Sequence, residues 1–135
     1  MKKDMQFILA LSVILFLASL IFKTYCINGE CRGRGFLNFL IGWLGVFHLN
    51  GSKAWLANPF LIISWFFFFQ KPKTALILSV IAFLFAVSFY FQQTIVYNEA
   101  GMAGKITGYK AGYWLWVSSI CVMILGSLRG IFKGV

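Results

Sequence analysis

At 135 residues the chain has the length of one ordinary domain, yet 61% of its residues are hydrophobic and only 11% are charged. Soluble domains carry roughly 45–50% apolar and about 25% charged residues, so most of this chain needs lipid as its solvent. Twelve basic residues against three acidic ones give a net charge of +9; they stand singly or in pairs at the ends of apolar runs, the place of lipid headgroup contacts, which sets nucleic acid aside as a partner.

The first apolar run, residues 5–22, is uncharged and follows Met1-Lys2-Lys3-Asp4. Eighteen helical residues reach about 27 Å, enough for the hydrocarbon core. The run is longer than the apolar region of a signal peptide and no A-x-A-like site follows it, so it is expected to be retained as a span.

Next comes Cys26-Ile27-Asn28-Gly29-Glu30-Cys31. Asn-Gly is the strongest two-residue signal for a hairpin turn, and it would set Cys26 opposite Cys31 at about 4.5 Å between Cα atoms. That separation suits a disulfide. A structural disulfide is the expectation, with free thiols or a redox or metal-binding role as the alternatives.

The run 35–49 is short for a span, at about 22 Å. Asn38, Gly42, Gly45 and His48 form a small or polar stripe opposite Phe36, Phe39, Leu40, Trp43, Leu44 and Phe47. The pattern predicts an interfacial or re-entrant helix, and a short span packing through its glycines is the alternative. Further along, residues 54–70 are broken by Asn58-Pro59, which reads as an N-cap followed by Pro at the first helical position. Lys71-Pro72-Lys73 turns the chain into the longest uncharged run, 74–97, and 112–131 forms the last span, opening on Tyr113, Trp114 and Trp116. Between these two, residues 98–111 read as a polar loop holding Glu99, Lys105 and Lys110. The expectation is therefore a single all-α membrane domain over residues 1–135. It has four transmembrane helices (5–22, 54–70, 74–97 and 112–131), an extra short helix at 35–49 and a stapled hairpin.

Orientation is not decided by counting basic residues. Lys2, Lys3, Lys71, Lys73, Arg129 and Lys133 would face inward, and Lys23, Arg32, Arg34, Lys53, Lys105 and Lys110 outward. The positive-inside rule returns a tie. A disulfide needs an oxidising compartment, which places the Cys26–Cys31 hairpin outside and both termini in the cytoplasm of a bacterial inner-membrane protein.

Few residues suggest chemistry. The Cys pair beside a first helix invites comparison with membrane thiol oxidoreductases of the vitamin K epoxide reductase kind, but their motif is C-x-x-C, and here four residues separate the cysteines while Cys121 stands alone. Small multidrug transporters of similar length depend on a carboxylate within the first span, and 5–22 holds none. His48 has no Cys or acid at ligand spacing, so no metal and no cofactor is expected. The candidate polar site is an outer rim of Trp55, Asn58, Gln93, Glu99, Tyr113 and His48. Small residues mark two packing faces: Ala75, Ser79, Ala82 and Ala86 on one helix, Gly126 and Gly130 on another. The functional expectation is a non-enzymatic interaction protein of the accessory-subunit, immunity or phage-exclusion type. A homo-oligomeric channel or transporter and a lipid-binding or lipid-modifying protein are the alternatives, and the expected partners are membrane lipid, a second protein or a further copy of the chain.

Overall fold

The computed structural model describes residues 2–31, 35–41, 43, 53–92, 94–96 and 103–132. Four main helices carry the fold: α1 (Lys2–Ser19), α3 (Ala57–Phe67), α4 (Pro72–Phe91) and α5 (Ala111–Phe132), with a short α2 (Gly35–Ile41) and a 3-10 turn (Ala54–Leu56) leading into α3. Three short strands, β1 (Tyr25–Ile27), β2 (Thr94–Val96) and β3 (Ala103–Tyr109), form an antiparallel sheet in the order β1-β3-β2.

The expectation of an all-α bundle with four spans is wrong on two counts. Among the described residues, two helices, α4 and α5, are long and apolar enough to cross a membrane, rather than four. α1 ends at Ser19 and takes Lys2, Lys3 and Asp4 into its first turn, which leaves an apolar stretch of about 22 Å. The helical piece from Ala54 stops at Phe67, about 21 Å on. The second error concerns 98–111 and the end of 74–97. α4 closes at Phe91 and Thr94-Ile95-Val96 leaves it as a strand, paired through Thr94↔Lys105 and Val96↔Ala103. β-Branched residues extend more readily than they continue a helix. The short segment at 35–49 is helical from Gly35 to Ile41, while Gly42, Gly45 and His48 lie outside the described residues.

Burial holds the helices together. α1 packs on α5, α5 on α4 and α4 on α3, around Met5, Phe16, Leu61, Phe68, Ala82, Ala86, Ile120 and Met123. Ala75, Ser79, Ala82 and Ala86 are all fully buried along one face of α4. Gly126 and Gly130 sit where α5 meets its neighbours: a Cβ on Gly130 would come 2.9 Å from Met5 Cε and 3.3 Å from Pro72 Cβ. The starts of α1 and α4 and the end of α5 therefore lie together, away from the sheet, and there Arg129 donates to Asp4 at 2.9 Å. Both side chains are largely exposed, so solvent screening keeps that pair below about 1 kcal/mol.

At the opposite end the chain knits α1, α2, α5 and the sheet through backbone bonds. Phe36 N–H donates to Leu20 O and Gly35 N–H to Phe22 O, so α2 supplies partners for carbonyls beyond the end of α1. Gly112 N–H donates to Lys23 O and Lys110 N–H to Thr24 O. Gly35 has to be glycine here, since a Cβ would lie 2.2 Å from Ser19 O.

Candidate functional site

The hairpin is built as its residues dictate. Asn28 and Gly29 have φ of 52° and 83°, the pair of positive values that a two-residue type I′ turn requires. Ile27 and Glu30 exchange both backbone bonds, at 2.8 and 2.9 Å, and Cys26 is bonded to Cys31 with Cα atoms 4.0 Å apart. The turn is also tied to β3. Asn28 N–H donates to Lys105 O, Lys105 N–H donates back to Asn28 Oδ1, and Gly29 N–H donates to Thr107 Oγ1. β1 then runs beside β3 through Tyr25↔Tyr109 and Cys26↔Gly108.

Beneath the sheet lies an aromatic cluster. Phe89, Tyr90, Tyr109, Tyr113 and Trp114 approach one another with ring centroids 4.8–6.4 Å apart. Tyr109 reaches from β3 to the end of α4, where its hydroxyl lies 2.8 Å from Phe89 O and 3.0 Å from Tyr90 O. Such carbonyls lack the usual helical donor at a helix C-terminus, and Phe89 O also takes the Gln92 N–H, so a strand residue and the C-cap together close the helix end. Burial, and then the neighbouring Tyr90, push the Tyr109 phenol above the usual tyrosine range, and burial does the same to Tyr25. Both therefore stay neutral at physiological pH, and Tyr109 keeps the proton its cap requires.

The candidate rim is only partly one site. Trp55 donates its Nε1–H to Phe39 O at 2.9 Å, on the α2 side. Asn58 is buried and its Oδ1 accepts from Trp116 Nε1 at 2.8 Å. It is not an N-cap, because the 3-10 turn starts the helical path earlier and leaves Asn58 and Pro59 inside the first turn of α3, where a missing N–H costs no helical bond. Tyr113 donates to Ala86 O at 2.9 Å, and its ring lies 6.0 Å from that of Trp116. Trp116 thus joins Asn58 to Tyr113, a role its place in an aromatic run does not reveal. Gln93, Glu99 and His48 lie outside the described residues.

A second polar cluster lies in the helical interior. Ser119 donates to Ser12 O at 2.7 Å, Ser12 donates to Ser119 O at 3.0 Å, and Trp65 Nε1 donates to Ser12 Oγ at 3.0 Å. Each hydroxyl is satisfied by the facing helix, so the group acts as a clasp between α1 and α5 with α3 joined to it.

Above the aromatic cluster, the end of α4 and β3 enclose an open groove of about 560 Å³, lined among others by Tyr90, Phe91, Gln92, Lys105, Thr107 and Tyr109. Among the described residues, no group of three His, Cys, Asp or Glu side chains could hold a metal ion. The chain matches no protein-family model, no curated protein and no solved structure.

Proposed function

We propose that the protein is a non-enzymatic interaction protein of the inner membrane, an accessory or immunity-type subunit that presents its stapled sheet on the outer side. α4 and α5 cross the bilayer, and the end that carries Asp4 and Arg129 faces the cytoplasm. The observation that carries this reading is the outward face of the helices. Phe7, Phe66, Leu84 and Leu125, one from each main helix, are 68%, 77%, 62% and 67% exposed. Apolar surface on every side of a helical body is what lipid requires and what water penalises, at roughly 25 cal/mol per Å². The Cys26–Cys31 bond supports the orientation, since disulfides persist in oxidising compartments. Polar side chains that could serve chemistry are taken up by the fold: Ser12, Ser119, Asn58, Tyr113 and Trp65 bond to the protein itself.

Purified protein in liposomes is expected to leave proton and potassium gradients intact, while protein taken from native membranes after reversible cross-linking carries a second polypeptide at fixed stoichiometry. A preparation that holds only copies of this chain and dissipates either gradient would replace the interaction reading with that of a channel.

A further inference from the structure

We infer that the groove between the end of α4 and β3 is a headgroup site for one anionic phospholipid, whose acyl chain lies along the exposed face of α4. The inference rests on the membrane reading above, and three observations carry it.

The first is continuity. Ile77, Val80, Leu84 and Phe91 are exposed on α4 at spacings of three, four and seven, so they form one apolar stripe along the helix. That stripe ends at the groove, whose wall includes Phe91 itself, 74% exposed, and Tyr90. An apolar track that runs into a recess lined by both polar and aromatic side chains at the boundary of a span has the shape of a lipid molecule.

The second is a preset cation. Lys105 is exposed, and its backbone is held on both sides, by the bonds with Asn28 and by the pairing with Thr94. The stapled turn therefore fixes where the ammonium begins. Basic residues at headgroup depth attract anionic lipid, and the held backbone anchors this lysine's stem at the groove. Thr107 stands two residues along the same face of β3; its Oγ1 accepts from Gly29 N–H, which leaves its own proton to donate to a phosphate oxygen.

The third is the treatment of the opposing effect. A helix C-terminus disfavours anions, and the end of α4 is part of the groove wall. Here the Gln92 N–H donates to the Phe89 carbonyl and the single Tyr109 proton is shared between the Phe89 and Tyr90 carbonyls, which offsets two of the dipoles at that helix end.

A phosphate diester in a lipid and a free phosphate ion share the chemistry that Lys105 and Thr107 recognise, and the acyl stripe favours the lipid. Native mass spectrometry of the intact protein, with phosphatidylglycerol or phosphatidylcholine added in detergent, tests this. Phosphatidylglycerol should be retained in preference. Lys105→Gln should lower that preference about fivefold, the worth of one basic residue at a membrane surface. Lys105→Arg should keep it, and Lys73→Gln, at the other end of α4, should lower it clearly less than Lys105→Gln does. Equal loss in both glutamine variants, no loss in either, or displacement of the lipid by inorganic phosphate would each overturn the site. Carbonate extraction of the same variants separates the two readings. Protein released from membranes by carbonate contradicts the membrane reading itself, whereas integral protein without lipid preference contradicts only the groove.

Discussion

Replacing Gly126 with leucine is expected to lower the stability of the folded protein by about 1–3 kcal/mol, the cost of overpacking a filled interior. At this crossing a Cβ alone would lie 2.4 Å from Ile8 Cγ2 and 3.0 Å from the Phe68 ring. Phe68 is fully buried, and Ile8, partly buried, packs against the core from α1, so an added side chain here must displace both. Even Gly126→Ala should therefore be destabilising, although alanine is the better helix former by about 1 kcal/mol. Leu125, one residue away, is exposed, so Leu125→Ala should change stability by no more than about 0.5 kcal/mol. Thermal unfolding of the three variants in one detergent checks the order. An unchanged Tm for Gly126→Leu would mean that α1 and α5 do not approach as closely as described.

Removing the disulfide by Cys26→Ser with Cys31→Ser is expected to cost about 2 kcal/mol, from the loop-closure entropy that a six-residue ring removes from the unfolded chain. The loss should be concentrated at the sheet. Cys26 is buried beside Gly108, and the Asn28–Lys105 bonds depend on the turn that the disulfide closes. Hydrogen exchange should accelerate at the amides of Asn28 and Lys105, while the core of α5 around Ile120 and Met123 keeps its protection. Uniform acceleration through α5 would make the staple part of the global fold, and no change at Lys105 would remove its role in placing β3.

How much of this was legible in the sequence depends on the range of the interactions concerned. The hairpin was legible because its determinants are local: Asn28 and Gly29 adopt positive φ on their own account, and the cysteines flank them symmetrically. The apolar runs announced helices for the same reason. The sheet was not legible. Its three strands come from residues 25–27, 94–96 and 103–109, so their pairing joins segments far apart in the chain. Thr94-Ile95-Val96 read as the tail of a helix because a short apolar run carries no period that separates strand from helix. In β3 the alternation of exposed Lys105 and Thr107 with half-buried Ile106 and Gly108 was a usable signal, obscured by its glycines and charge. The number of candidate spans was overread because α1 draws charged residues into its first turn and the Ala54 segment stops at Phe67. Within the rim, Trp55, Asn58 and Tyr113 were identifiable as polar aromatics or amides near helix starts. Their partners, Phe39 O, Trp116 and Ala86 O, depend on tertiary packing that no local pattern encodes.

The sheet and the start of α4 are proposed to face opposite sides of one membrane, and cysteine accessibility in intact cells measures this. Cys26 and Cys31 should be inert to a membrane-impermeant maleimide until an impermeant reductant is added, and should then be labelled. A cysteine placed by Lys73→Cys in a Cys121→Ala background should stay unlabelled under both conditions until the membrane is permeabilised. Labelling at position 73 from outside, or Cys26 and Cys31 that remain unlabelled after reduction, would contradict the orientation.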